Sequence, residues 1–202
     1  MSRPTQIFGI LAIICNLSAI FPYVLGLAKQ QTKPHFITWL IWTITNATAF
    51  FAQLFSGAGA GAWPTLIGAF VCGGATISGL LVGEKTITHG DWLSLIFALL
   101  ATPLWIITKS PLYSVILVSL IDLAGYYPTL RKSWNRPYDE PIPAHSLGLL
   151  NQFFAIFAVE KLSLVNLLYP IVCFFPNLAL VSILTLRRRV IAKPTALTTP
   201  QE

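Results

Sequence analysis

The chain is expected to be an all-α integral membrane protein: seven transmembrane helices arranged as two parallel triple-helix repeats joined by a linker helix. Three observations lead there. First, 55% of the 202 residues are hydrophobic and only 10% are charged, and the mean hydropathy of +0.71 is far from that of a soluble globular chain. Second, the sequence divides into seven apolar runs; a helix crosses the hydrocarbon core in about 20 residues at ~1.5 Å each. Third, the two halves repeat at a constant offset of 106, which pairs Asn16 with Asp122, Pro22 with Pro128, Asn46 with Gln152 and Trp63-Pro64 with Tyr169-Pro170. A unit used twice, with prolines kept inside apolar segments, is the layout of a small transporter.

The first run, Ile7–Leu27, follows Arg3 and continues through Pro22 and Tyr23 without a small-residue cleavage site. It also matches the fifth run, so it reads as a retained span rather than a signal peptide. The second, His35–Phe55, ends at Ser56-Gly57-Ala58-Gly59-Ala60-Gly61. This stretch is expected to be a flexible outer turn; no Lys-Ser or Lys-Thr follows it, so it is not a phosphate loop. The third, Ala62–Val82, carries the small residues Gly73, Gly74, Ala75 and Gly79, with Gly83 just beyond it, which suit close helix packing. The fourth, Trp92–Thr108, has no counterpart in the second half, as a linker should not. The fifth, sixth and seventh, Leu112–Leu130, Ala144–Val159 and Leu164–Leu186, rebuild the triplet. Residues 1–190 are thus one membrane domain, with repeat one at 7–82, the linker helix at 92–108 and repeat two at 112–186. Residues 190–202 are expected to form a disordered cytoplasmic tail. Because the offset spans four helices, both repeats enter the membrane from the same side.

Ten of the thirteen Lys and Arg residues fall on one side of this arrangement: Lys29, Lys33, Lys85, Arg131, Lys132, Arg136, Arg187, Arg188, Arg189 and Lys193. The positive-inside bias therefore puts the N-terminus outside and the C-terminus in the cytoplasm, as expected of a chain in an inner (plasma) membrane. The net charge of +6 has the same origin. Its cations sit just beyond the span ends, where they meet lipid headgroups rather than nucleic acid. Cys15, Cys72 and Cys173 lie inside apolar runs without metal-ligand spacing, and they read as reduced, buried thiols. No catalytic constellation, metal set or cofactor motif stands out, so an enzyme is not expected.

The segments "FPYVLGLAKQQTKPHFITWLIW" and "YYPTLRKSW" resemble the SWEET and PQ-loop transporter superfamily, and the chain is similar to a bacterial seven-helix branch related to it. In that superfamily the proline is usually followed by glutamine; here Tyr23 follows Pro22 and Thr129 follows Pro128. The resemblance implies a 3+1+3 bundle that carries a small polar solute (a sugar, an amino acid or a vitamin precursor). It also implies hinges at the prolines of the first helices, an aspartate of the second repeat that handles protons or substrate, and an asparagine in the third helix of a unit at the sugar site. The same scaffold also serves recognition. A membrane receptor or assembly protein that binds without transporting is the alternative reading, and homo-oligomers are left open.

Asp122, near the middle of the fifth run, is the sharpest feature, because a carboxylate at bilayer depth must face a cavity, find a partner or stay protonated. It is either a proton- or substrate-handling group or a packing acid hydrogen-bonded to its repeat mate Asn16. Asn16, Asn46, Gln152 and Asn177, with Asp122, are expected to line a substrate site, since amides both donate and accept; Asn151 shares this chemistry. Each could equally tie helices together. Pro22 and Pro128 are expected hinges, and Tyr23, Tyr126 and Tyr127 beside them are expected at the inner gate. Pro64 and Pro170 read as tolerated prolines near the outer starts of their helices. Trp39 and Trp42 lie three apart on one face, for stacking on substrate or for anchoring at the interface. His145 opens the sixth run and reads as a titratable loop residue.

Overall fold

The computed structural model describes residues 3–29, 36–82, 89–108, 110–135, 137–138 and 140–192. Within them, the side chains at 90, 91, 94, 101, 102, 105, 106, 127–129, 131 and 132 lie outside the described set. The tail at 193–202, the loop cations Lys33, Lys85, Lys109 and Arg136, and residue Gly83 lie outside the described residues.

Every described element is helical: α1 (Arg3–Ala28), α2 (Phe36–Phe55), a 3₁₀ turn (Gly59–Gly61), α3 (Trp63–Val82), α4 (His89–Thr108), α5 (Pro111–Asn135), α6 (Ile142–Ala158) and α7 (Leu164–Val190). Among the described residues, three segments are long and apolar enough to cross a membrane: Arg3–Ala28, Gly59–Val82 and Leu164–Val190. Along α1, Ile7, Ile10, Ile14, Leu17, Phe21 and Val24 are all exposed, an apolar surface that an integral membrane protein turns to lipid.

Helix ends follow local chemistry. Ser163 caps α7 by accepting from the Asn166 N–H, and Pro141 leads into α6. The C-terminal turn of α7 carries Arg187, Arg188 and Arg189, cations that suit the negative end of a helix. α5 and α7 extend past their apolar runs, to Asn135 and Val190. The helix of α1 is unbroken through Pro22, and that of α5 through position 128.

The packing is paired. α3 packs on both α1 and α2, and α7 packs on both α5 and α6. Between the two groups, α1 packs on α6 and α2 packs on α5. Exchanging α1 with α5, α2 with α6 and α3 with α7 maps each of these contacts onto another. α4 lies against α2 and α5, where Leu95 and Ala98 join Ile37 and Ile41 in one apolar cluster. A second cluster holds Ala49, Ala52, Val115, Val118, Tyr169 and Cys173. Close approach needs small residues: a Cβ on Gly79 would stand 2.8 Å from the Phe36 Cα.

The 3₁₀ turn is not the flexible connection expected from its composition. Ala58, Ala60 and Ala62 are buried, because the turn packs into the loop that joins α6 to α7. Pro170 also differs from expectation: it lies inside α7 and is fully buried, whereas Pro64 does stand at the start of α3.

Candidate functional site

Asp122 sits on α5 where α2 and α7 converge, and it is 4% exposed. Its Oδ1 accepts from the Thr45 hydroxyl of α2 at 2.7 Å. Its Oδ2 accepts from the Tyr169 hydroxyl of α7 at 2.7 Å and from the Cys173 thiol at 3.6 Å. Both oxygens are therefore served by donors from two other helices. This is how a buried carboxyl is made tolerable where no cation among the described residues pairs with it.

One turn further along α7, the Asn177 amide donates to the Tyr126 Oη at 2.8 Å and to its own helix at the Cys173 carbonyl, 2.9 Å away. A Cβ on Gly148 would stand 3.3 Å from the Asn177 Oδ1, so α6 closes on that amide from the other side. The Tyr126 ring lies 6.0 Å from Trp42, Trp42 lies 5.1 Å from Trp39, and Trp39 lies 5.2 Å from Tyr23. The aromatic row thus runs from α5 through α2 to α1. Each contact is tilted or edge-on, as ring quadrupoles prefer. Trp39 and Trp42 therefore pack between helices within the bundle rather than standing out as surface anchors.

A second amide pair lies in the first half. The Asn46 amide donates to the Trp42 carbonyl at 2.8 Å, and the Asn16 amide donates to the Pro64 carbonyl at 3.3 Å. Both flank Gly68, whose Cβ would stand 2.8 Å from the Asn46 Oδ1 and 3.4 Å from the Asn16 Nδ2. Asn16 and Asp122 are therefore not partners: each bonds to a different helix, and the pairing considered for the repeat mates does not form. The fold joins Asp122 to Asn177 through Cys173, and Asn46 to Asn16 over Gly68, with Trp42 linking the two groups. Gln152, half-buried on α6, takes no part in these bonds. Tyr127 and Pro128 lie on α5, but their side chains are outside the described set. His145 pairs with Glu140 at 3.1 Å beside the α5–α6 loop, away from this cluster.

Four residues of the site were not among those expected to form it: Thr45, Tyr169, Cys173 and Gly68. Thr45 aligns with Asn151 at the repeat offset, and Asn151 also crosses between the two halves, donating to the Ala12 carbonyl at 2.8 Å. That shared offset is the one signal that could have found the bridging position. Among the described residues, no group of three or more His, Cys, Asp or Glu side chains could hold a metal ion. Comparison with protein-family models, with curated proteins and with solved structures finds no match for this chain.

Proposed function

We propose that this chain is a transmembrane carrier of a small polar solute, working by alternating access between two parallel three-helix units. On this reading the seven helices all span the membrane in a 3+1+3 order, α4 is the linker, and the basic C-terminal end of α7 faces the cytoplasm of a bacterial cell. The observation that carries it is the buried polar cluster of Asp122, Thr45, Tyr169, Cys173 and Asn177, at the junction of helices from both units. An ionisable group inside an apolar bundle is a functional-site candidate by default. The exchange relation among the helix contacts supports a fold built from two equivalent halves, which alternating access uses. The resemblance to the SWEET and PQ-loop superfamily points the same way, and Asp122 is the residue on which proton coupling would rest.

The test is solute counterflow into proteoliposomes with a panel of labelled sugars, amino acids and vitamin precursors, alongside Asp122→Asn and Asn177→Ala. Exchange of one compound, lost in the variants, supports the carrier and names its cargo class. Folded protein that exchanges nothing across the panel points instead to a receptor or assembly protein on the same fold.

A further inference from the structure

We propose that the buried turn at Ala58–Ala62 and the loop at 158–161 form an interlocking gate, closed in this structure, at their end of the bundle. The inference rests on the carrier reading above, and it adds which end is shut and which residues shut it.

The two segments come from different three-helix units and are fitted backbone to backbone. The Glu160 N–H donates to the Ala58 carbonyl at 3.0 Å. A Cβ on Gly61 would stand 2.8 Å from the Val159 Cα, and a Cβ on Gly59 would run into the Glu160 side chain. Gly59 also has φ +61°, in the left-handed region where a Cβ is strained. Glycine is thus required twice in one turn, once for close approach and once for conformation as well.

Side chains extend the closure on both flanks. On one, the Thr5 hydroxyl donates to the Glu160 carboxylate at 3.4 Å, and Phe8 packs on Phe157 and Phe154 at 5.5 and 6.3 Å. On the other, the Asn166 amide spans the seam, donating to the Lys161 carbonyl at 2.8 Å and to the Ser56 carbonyl at 3.3 Å. Gln53 adds a bond to the Asn166 carbonyl at 3.3 Å. At the opposite end the described bonds have a different character. Arg188 donates to the Pro137 and Glu140 carbonyls at 2.9 and 2.7 Å, and the Tyr138 hydroxyl donates to the Ile191 carbonyl at 3.1 Å. These tie the α5–α6 loop to α7 within a single unit.

The closed arrangement also carries a cost that lets it open. Gln53 and Asn166 are both 0% exposed, and among the described residues Gln53 Oε1 and Asn166 Oδ1 meet no donor. Each buried orphan oxygen penalises the closed state, and parting the seam would return both to water. A gate held by one backbone hydrogen bond, two glycine contacts and the side chains on its flanks, and opposed by two amide oxygens without a described donor, has the balance that a two-state element needs.

The experiment uses the full chain in oriented membrane vesicles with the pair Ala58→Cys and Glu160→Cys. Its reporter is native Cys173, which packs in the apolar cluster with Ala49, Ala52 and Tyr169 and bonds to Asp122. A membrane-impermeant thiol reagent is applied from the gate side, and Cys173 modification is read by peptide mass spectrometry. Oxidation of the pair should slow modification by about tenfold, and reduction should restore it. Gly61→Ala, which needs no added cysteine, should speed it by a similar factor. A Cys173 rate indifferent to the oxidised pair and to Gly61→Ala overturns the gate, as does failure of the pair to oxidise in folded protein. Counterflow in the same vesicles separates the two readings. Exchange that continues unchanged through the oxidised pair overturns the gate and keeps the carrier. Gated Cys173 with no exchange of any solute keeps the gate and overturns the carrier.

Discussion

The Gln53 side chain donates at 3.3 Å to the Asn166 carbonyl, the group that Pro170, four residues on, leaves without its helical partner. Proline has no N–H to return to residue i−4, so α7 exposes an acceptor inside the bundle, and a glutamine from α2 takes it up. The proline therefore builds a tie between α2 and α7 as well as removing one bond from its own helix. Gln53→Leu should lower stability by ~1–2 kcal/mol, the range for a lost buried hydrogen bond and an orphaned acceptor. In a Pro170→Ala background, where the helix can supply the missing N–H, the same change should cost less. Chemical unfolding of the four proteins in detergent measures this coupling, and equal costs in both backgrounds would refute the link.

Tyr169 is fully buried, and its hydroxyl is one of two donors that reach Asp122 at 2.7 Å. Tyr169→Phe removes that donor with almost no change of shape. It should destabilise the protein by ~1–3 kcal/mol, because a buried carboxyl loses a hydrogen bond that nothing replaces. Combined with Asp122→Asn the two costs should not add, since both act on one bonded network. Additive unfolding free energies would show that the hydroxyl serves some other partner.

How much of this the sequence shows depends on the reach of each interaction. The helices were legible because hydropathy is local: the runs beginning at Ala62 and ending at Val82, and ending at Phe55, fall within one residue of α3 and the end of α2. Asp122 was legible because a lone carboxylate in an apolar run stands out on its own. Its partners were not, since Thr45 lies 77 residues away, Tyr169 47 and Cys173 51, and each is an ordinary residue for its own helix. The turn at Gly57–Gly61 was misread for the same reason. Small residues permit flexibility and also permit a backbone to be buried against another, and only the neighbouring Val159 and Glu160 decide between these outcomes.

Gly68 separates Asn16 from Asn46, and its hydrogen faces the place where a methyl group would lie 2.8 Å from the Asn46 Oδ1. Gly68→Ala should push the Asn46 amide off its bond to the Trp42 carbonyl while leaving α3 intact, since alanine favours helix over glycine by ~1 kcal/mol. On the carrier reading proposed above, the expected outcome is folded protein of near-normal stability whose solute exchange is impaired. Unchanged exchange would place the Asn16–Asn46 pair outside the transport path and leave it a packing feature.

Thr45 offers a way to test proton coupling without removing the acid. Its Oγ1 lies 2.7 Å from the Asp122 Oδ1 and 3.2 Å from the Trp42 carbonyl, but a hydroxyl has one proton to give. With Asp122 ionised, Thr45 donates to the carboxylate. With Asp122 protonated on Oδ1, the acid donates to Thr45, and Thr45 turns to the Trp42 carbonyl. Both states are bonded, and the rotor redirects Thr45's own donation from Asp122 to the backbone of α2. Thr45→Ser keeps this exchange and should keep the response of solute exchange to an imposed pH gradient. Thr45→Val strips the ionised carboxylate of a donor and the protonated acid of its acceptor, so that response should fall toward the level of Asp122→Asn. Counterflow with and without a pH gradient in the three variants checks it. A Thr45→Val protein that folds and responds like Thr45→Ser would show that Asp122 does not hand its proton state to α2 through this hydroxyl.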